Sequence, residues 1–143
     1  MKIAIGSDHR GFEQKNIILA YFAESADHQL IDVGTESDER TDYPPFAQKV
    51  VHLMQKGEVQ AGILLCGSGI GMAIAANRYP SIFAGVVWNR TIARLAREHD
   101  NVNVLVLPSD FIANDEVIPI VNAWLQASFF GGQYEMRLKM IDE

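Results

Sequence analysis

The sequence contains 143 residues, of which 48% are hydrophobic, so it is long enough for one sizeable core and short for two. Its formal net charge of −6 argues against a nucleic-acid-binding surface, because phosphate contacts need clustered Lys and Arg. The single cysteine cannot form an intramolecular disulfide, the N-terminal run MKIAIGSD is too short for a signal peptide, and no run approaches the ~18 apolar residues of a membrane span. We therefore expect one domain over residues 1–143, cytoplasmic and without membrane contact.

Five strand-like apolar runs follow one another along the chain, at residues 2–6, 28–34, 61–67, 83–88 and 103–108. The stretches between them carry apolar residues at helical intervals. Near-continuous apolar strands that alternate with helices indicate parallel pairing with both faces of the sheet covered. The predicted fold is a doubly wound, Rossmann-like α/β/α sandwich with a five-stranded parallel sheet.

The end of the chain has a different pattern. Gly131-Gly132 is a natural helix stop, and the following residues mix apolar and charged side chains. We expect residues 131–143 to form a separate C-terminal helix that packs on a second subunit.

In a doubly wound sheet the ligand crevice lies beyond the carboxyl ends of the strands. The residues that follow the predicted strands are Ser7 to His9, Thr35 to Tyr43, Cys66 to Gly71, Asn89 and Arg90, and Ser109 and Asp110.

The loop CGSGIGM, residues 66–72, is the strongest local signal among these. It is not a dinucleotide fingerprint, because Met72 stands where a third glycine would be needed, and no Lys-Ser or Lys-Thr follows to make a P-loop. Ser68 is not in a GxSxG elbow either. What remains is a tight loop before a helix, whose backbone N–H groups can face an anion.

Cys66 begins this loop and has two interpretations. It can be a small buried hydrophobe that ends a core strand. It can also be a reactive thiol, because a helix N-terminus lowers the pKa of a nearby thiol. Proton abstraction next to a carbonyl needs a base and amides for the enolate oxygen, and this loop can supply both.

Other polar residues also have structural alternatives. Asp8 and His9 can be an N-cap and an exposed imidazole, and His99 can be a favourable charge at a helix C-terminus. We expect no metal site, because the chain has one cysteine and no pair of histidines at ligand spacing.

Five motifs in order are familiar: GSDHRGFEQK, DVGTESDERTDYP, GILLCGSGIGMAIAANR, REHDNVNVL, and GG before a basic tail. Together they resemble the type B ribose-5-phosphate isomerases, which are grouped with the galactose-6-phosphate isomerases. The resemblance implies an aldose–ketose isomerase that works through an enediolate without metal or organic cofactor. It also implies a homodimer, or a tetramer, whose active sites share residues between subunits.

The resemblance also assigns roles to residues. It makes Cys66 the base that moves the proton between C1 and C2, with Ser68 close to the sugar oxygens. The amides that would hold the enediolate oxygens belong to the segment containing Gly67, Gly69 and Gly71.

The remaining roles concern the ring and the two ends of the sugar. By resemblance, His99 with the help of Tyr43 opens the furanose ring, and Asp8 holds or relays protons at the reacting hydroxyls. His9 faces the phosphate, as does Arg137 from the tail of the other subunit.

Three departures from the family pattern bear on the substrate. Asp110 and Gln133 stand where the family has phosphate-binding arginines, and Asp100 stands in place of an asparagine that holds a sugar hydroxyl. Arg10, Arg40 or Arg90 could restore positive charge. The default substrates are ribose 5-phosphate and ribulose 5-phosphate; the alternatives are a nonphosphorylated or differently charged sugar, or a sugar-binding protein without turnover.

Overall fold

A five-stranded parallel sheet forms the centre of the molecule. In the computed structural model, which describes residues 1–143, the strands are β1 (Lys2–Ser7), β2 (Gln29–Asp32), β3 (Ala61–Cys66), β4 (Ala84–Val86) and β5 (Val104–Pro108). Their order across the sheet is β2-β1-β3-β5-β4, and each neighbouring pair is parallel. The predicted doubly wound parallel sheet is confirmed.

Six α-helices connect and cover the strands: α1 (Phe12–Phe22), α2 (Pro44–Gln55), α3 (Ile70–Ala76), α4 (Arg90–Asp100), α5 (Val117–Gln126) and α6 (Gln133–Ile141). Short 3₁₀ turns at His9–Gly11, Ser109–Phe111 and Asn114–Glu116 complete the structure. Apolar residues of α1, α4 and α5 pack on one face of the sheet, and those of α2 and α3 on the other. None of the helices combines the length and the apolar character needed to cross a membrane.

The central strand β3 is covered on both of its faces, which explains why its sequence is apolar throughout. All six of its residues are buried. Ile63 and Leu65 point into the core under α1 and α5, whereas Leu64 and Cys66 point into the core under α2 and α3. A strand covered on both faces cannot alternate between apolar and polar residues.

The two edge strands are shorter than the apolar runs predict. Residues 28–34 shorten to Gln29–Asp32, and residues 83–88 shorten to Ala84–Val86. At the β4 edge, the carboxamide of Asn77 accepts from the N–H of Ala84 and donates to its carbonyl oxygen, both at 2.8 Å. A side chain therefore satisfies backbone groups that a further strand would otherwise pair.

The C-terminal helix α6 exists as predicted and partly contacts α4 of its own chain. Leu138 is buried there, while Met136, Met140 and Ile141 are about 60–70% exposed. One face of α6 thus packs within the chain, and apolar side chains remain open on another. The expectation that the tail also packs on a second subunit stays a prediction.

Candidate active site

The carboxyl ends of three central strands meet at one edge of the sheet. Ser7 at the end of β1 pairs in register with Leu65, and Cys66 at the end of β3 pairs with Pro108 at the end of β5. The turns after these strands are therefore neighbours. Asp110, which follows β5, donates its backbone N–H to the carbonyl oxygen of Gly67 at 3.1 Å.

The glycine loop leads from Cys66 into α3. Gly69 has a φ of +76° and occupies the N-cap position, a conformation that favours glycine. A Cβ atom on Gly71 would lie only 2.4 Å from the Tyr43 ring, so the ring of Tyr43 lies directly on this glycine. The Ser68 hydroxyl accepts a hydrogen bond from the N–H of Ile70 at 3.3 Å. The loop thus brings Cys66, Ser68 and Tyr43 into one neighbourhood.

The pKa of Cys66 is shifted in the direction opposite to the one expected for a thiol close to a helix N-terminus. Cys66 is 4% exposed, and burial raises the pKa of its thiol. Backbone N–H groups of Met72, Gly69 and Ser68 act in the opposite direction, but desolvation is the larger effect. The predicted lowering of the pKa is therefore wrong for this chain by itself, because the thiol is buried as well as close to the helix N-terminus.

Asp8 and His9 lie beside this loop, after β1. Asp8 is buried, and its Oδ1 accepts hydrogen bonds from the N–H groups of Arg10 at 2.9 Å and Gly11 at 3.2 Å. Asp8 is thus an N-cap, as its structural interpretation predicted. The Nδ1 atom of His9 lies 3.3 Å from the backbone N and O of Thr41, which fixes the imidazole to the loop that precedes Tyr43.

Sequence reasoning missed an ion pair at this edge. Nε and Nη2 of Arg10 contact Oδ2 of Asp110 at 2.6 Å and 2.5 Å. This hydrogen bond raises the pKa of the Arg10 guanidinium. Of the three arginines that could restore positive charge, Arg10 is thus the one that pairs with Asp110. The two residues are 100 positions apart in the sequence, and no local sequence pattern predicts their contact.

His99, Asp100 and Arg137 lie elsewhere on the chain. Helix α4 starts after β4, at the carboxyl edge of the sheet, and ends before β5 begins, so His99 is at the amino edge. A five-residue strand is about 16 Å long, so the sheet separates His99 from Cys66 by roughly that distance. One chain does not bring these three residues to the glycine loop.

His99 instead stacks on Tyr134 of α6, with ring centroids 4.6 Å apart and an interplanar angle of 6°. The guanidinium of Arg137 lies 5.4 Å from the centroid of the same ring. His99 and Asp100 also line a largely apolar groove of ≈ 700 Å³, together with Trp88 and Leu138. The chain therefore carries two separate groups of the residues singled out from the sequence.

The residues offer no evident metal centre. No group of three or more His, Cys, Asp or Glu side chains is placed to hold a metal ion. The chemistry available at the carboxyl edge is that of a thiol, a carboxylate, a phenol, hydroxyls and backbone N–H groups.

Comparisons with known proteins agree over nearly the whole chain. Residues 3–141 match the Ribose/Galactose Isomerase family. Ribose-5-phosphate isomerase B of Escherichia coli is 43% identical over 140 residues, which are 98% of this chain and 93% of that protein.

Solved structures show the same similarity in three dimensions. A ribose 5-phosphate isomerase from Thermotoga maritima has a TM-score of 0.94 and 45% identity, covering 99% of this chain and 97% of that one. Ribose-5-phosphate isomerase B from Mycoplasma genitalium, solved with bound ribulose-5-phosphate, has a TM-score of 0.90 and 38% identity, covering 98% and 93%.

Proposed function

Since the chain belongs to the ribose/galactose isomerase family, we propose that it interconverts ribose 5-phosphate and ribulose 5-phosphate. The observation that carries this proposal is the position of Cys66, at the end of β3 and among the N–H groups of a glycine loop. A relative with the same fold binds ribulose-5-phosphate, the ketose of the pair.

The proposed reaction is a proton transfer through an enediolate. Cys66, as the thiolate, takes the proton from C2 of the open-chain aldose and returns it to C1, while a proton moves from the C2 hydroxyl to the C1 oxygen. Backbone N–H groups of residues 67–71 stabilise the negative charge on the oxygens of the intermediate. Asp8 and Ser68 hold the hydroxyls at the reacting carbons. These groups supply a base and charge stabilisation without a metal or organic cofactor.

A thiol with a raised pKa can still serve as this base. Only the thiolate fraction reacts, so burial lowers the concentration of the active form at neutral pH. A positive charge brought close to Cys66 would increase that fraction. In the chain by itself, the side chain of Asp8 acts on the thiol in the unfavourable direction.

The site is completed by a second copy of the chain. His99 and Arg137 are too far from Cys66 within one subunit, yet ring opening needs an acid–base group near the sugar oxygen. We propose a homodimer in which the His99 group of one subunit, with Asp100 and Arg137, faces the Cys66 loop of the other. His99 and Tyr43 would then open the furanose ring together. The exposed Met136, Met140 and Ile141 supply apolar contact area for such an interface.

One observation favours a second candidate. Arg10 and Asp110 have no net charge as a pair, and Gln133 is neutral, so the chain presents less positive charge than a phosphate site needs. The second candidate is the same isomerisation on a nonphosphorylated sugar.

The experiment that separates the candidates is a substrate screen. Purified protein is incubated with ribose 5-phosphate, a hexose 6-phosphate, free ribose and a free hexose, and the ketose products are separated by chromatography. Ribulose 5-phosphate as the main product, formed at a rate that saturates, supports the first candidate. Faster conversion of free ribose supports the second, and binding without any conversion contradicts both.

A further inference from the structure

The ion pair between Arg10 and Asp110 lies directly on the residue that follows Cys66. Arg10 comes from the turn after β1 and Asp110 from the turn after β5, so the pair spans the end of β3 between them. A Cβ atom on Gly67 would be 2.8 Å from Oδ2 of Asp110 and 2.9 Å from Nε of Arg10. Both charged groups are therefore within the reach of a small sugar whose reacting carbons lie at Cys66.

The pair leaves part of the guanidinium unused. Nε and Nη2 of Arg10 both converge on a single oxygen of Asp110, Oδ2. An arginine has five N–H donors in a planar fork, so Nη1 and one N–H of Nη2 are left for another acceptor. The Arg10 side chain is 55% exposed, which makes this edge accessible from solvent.

Two other cations close to the strand ends, Lys15 and Arg90, are each engaged with both oxygens of a carboxylate. Lys15 is buried and holds both carboxylate oxygens of Asp32 at 2.9 Å. Arg90, after β4, forms two hydrogen bonds with the two carboxylate oxygens of Glu116. Arg10 lies against Gly67, keeps N–H donors that have no acceptor, and has a solvent-exposed side chain.

We propose that Arg10 binds the phosphate of the sugar and that Asp110, by competing for the same guanidinium, sets how tightly phosphorylated sugars bind relative to neutral ones. The inference rests on the proposed function, because it takes the sugar phosphate as the substrate of this site. Phosphate oxygens match the planar donors of arginine and accept two hydrogen bonds at once. The Arg10–Asp110 pair thus determines specificity, with Asp110 restraining an anion site that Arg10 provides.

Asp110 could affect phosphate binding in two ways, by ordering Arg10 or by repelling the phosphate, and the second is the larger. An ion pair this exposed contributes little to the ordering of Arg10. The carboxylate, in contrast, lies next to the position where a phosphate dianion would bind, and two like charges several ångströms apart repel each other appreciably near a protein surface. Removal of the carboxylate charge should therefore strengthen phosphate binding, whereas removal of Arg10 should weaken it.

The test measures binding and turnover separately. Ribose 5-phosphate is titrated calorimetrically into the Cys66→Ala protein, in which we expect turnover to be slow, and into the same protein carrying Arg10→Gln or Asp110→Asn. Free ribose is titrated in parallel. We expect Arg10→Gln to weaken binding of ribose 5-phosphate by about tenfold or more, the loss expected for a charge-assisted contact. We expect Asp110→Asn to tighten it by about threefold or more. Binding of free ribose should stay within about twofold in both variants, since a neutral sugar carries no charge for the pair to act on.

Arg90→Gln and Glu116→Gln form the matched control, because they break an exposed ion pair of the same chemistry at the end of the next strand. Neither should change the binding of ribose 5-phosphate. An unchanged affinity in Arg10→Gln, or weaker binding in Asp110→Asn, would overturn the inference.

Failures of the two proposals are distinguishable. Charge-dependent binding as predicted, combined with no turnover in the protein that keeps Cys66, contradicts the proposed function alone. Turnover of ribose 5-phosphate with affinities that do not respond to Arg10 and Asp110 contradicts this inference alone. Absence of any binding of ribose 5-phosphate contradicts both.

Discussion

At the scale of single residues, the proposed chemistry depends on Cys66 and on how far the protein permits its thiol to ionise. Burial raises the pKa of this thiol, while three backbone N–H groups at the start of α3 lower it. The same loop that would stabilise an enediolate therefore also offsets part of the cost of a buried thiolate. In the single chain only a small fraction of the thiol is thiolate at neutral pH, so reactions of the thiolate should speed up as pH rises.

Alkylation of Cys66 by iodoacetamide should reveal this response. Because the pKa is raised, the thiol is the dominant form through neutral pH and the thiolate appears only as pH rises above about 8.5, the ordinary thiol value. The alkylation rate should increase about tenfold per pH unit from pH 6 to 8.5 and keep rising above that value, because the thiol ionises only above its ordinary pKa. The measurement is mass spectrometry of quenched samples, with Cys66→Ala as the blank. A plateau already reached near pH 7 would mean that the helix N-terminus outweighs burial.

The same shift in the pKa of Cys66 should make the stability of the folded protein depend on pH. A group whose pKa is raised by folding contributes stability below its unfolded pKa and loses that contribution as pH rises through the folded pKa. Relative to Cys66→Ala, the wild-type protein should therefore lose stability above about pH 8.5.

At the scale of elements, the ion pair between α1 and β2 shows how the loop that carries Tyr43 is anchored. Lys15 is 1% exposed, whereas its partner Asp32 is 40% exposed. Asp32 also accepts a hydrogen bond from the N–H of Gly34 at 2.9 Å, where the chain leaves β2 towards residues 35–43. The buried partner is thus the ammonium, and the accessible partner is the carboxylate.

Two substitutions at this pair should have unequal costs. Asp32→Asn leaves a buried ammonium without a counter-charge and should lower the free energy of unfolding by about 3 kcal/mol. Lys15→Met keeps a similar volume and leaves a carboxylate that water can reach, so it should cost about 1 kcal/mol or less. Urea unfolding followed by circular dichroism compares them. Equal costs, or a larger cost for Lys15→Met, would mean that the burial of Lys15 does not control the energetics.

Elements also show where sequence reasoning succeeds. The continuous apolar run of β3 and the glycine loop after Cys66 are local patterns, and both predict what the structure contains. The contact of Arg10 with Asp110 depends instead on β3 lying between β1 and β5, an order that no spacing along the chain encodes. The sign of the pKa shift of Cys66 depends on the extent of its burial, which a strand-end position alone does not give.

At the scale of the whole molecule, the two groups of candidate residues lie at opposite edges of one sheet. The position of His99 follows from the direction of α4, because a helix that connects two parallel strands must return from the carboxyl edge to the amino edge. The sequence therefore predicts His99 as a helix-terminal residue, but the catalytic role that we propose for it requires a partner chain. Shared active sites predict that two differently inactivated subunits can complement each other.

Mixing experiments test this directly. Cys66→Ala and His99→Asn proteins are unfolded together in equal amounts and refolded, so that subunits exchange. Half of the dimers should then be mixed, and each mixed dimer should contain one site with both Cys66 and His99, which restores about one quarter of wild-type activity. Each variant refolded alone is the control. No recovery in the mixture would mean that Cys66 and His99 do not belong to one shared site.

The most direct measurement is the turnover number of the wild-type and Cys66→Ala proteins on ribose 5-phosphate, with ribulose 5-phosphate followed as product. The wild-type protein should convert the aldose, and Cys66→Ala should lower the turnover number by about two to four orders of magnitude, the range for a positioned general base. Circular dichroism and the unfolding temperature should show that the fold is retained. Near-normal turnover by a folded Cys66→Ala protein would contradict the assignment of Cys66 as the base.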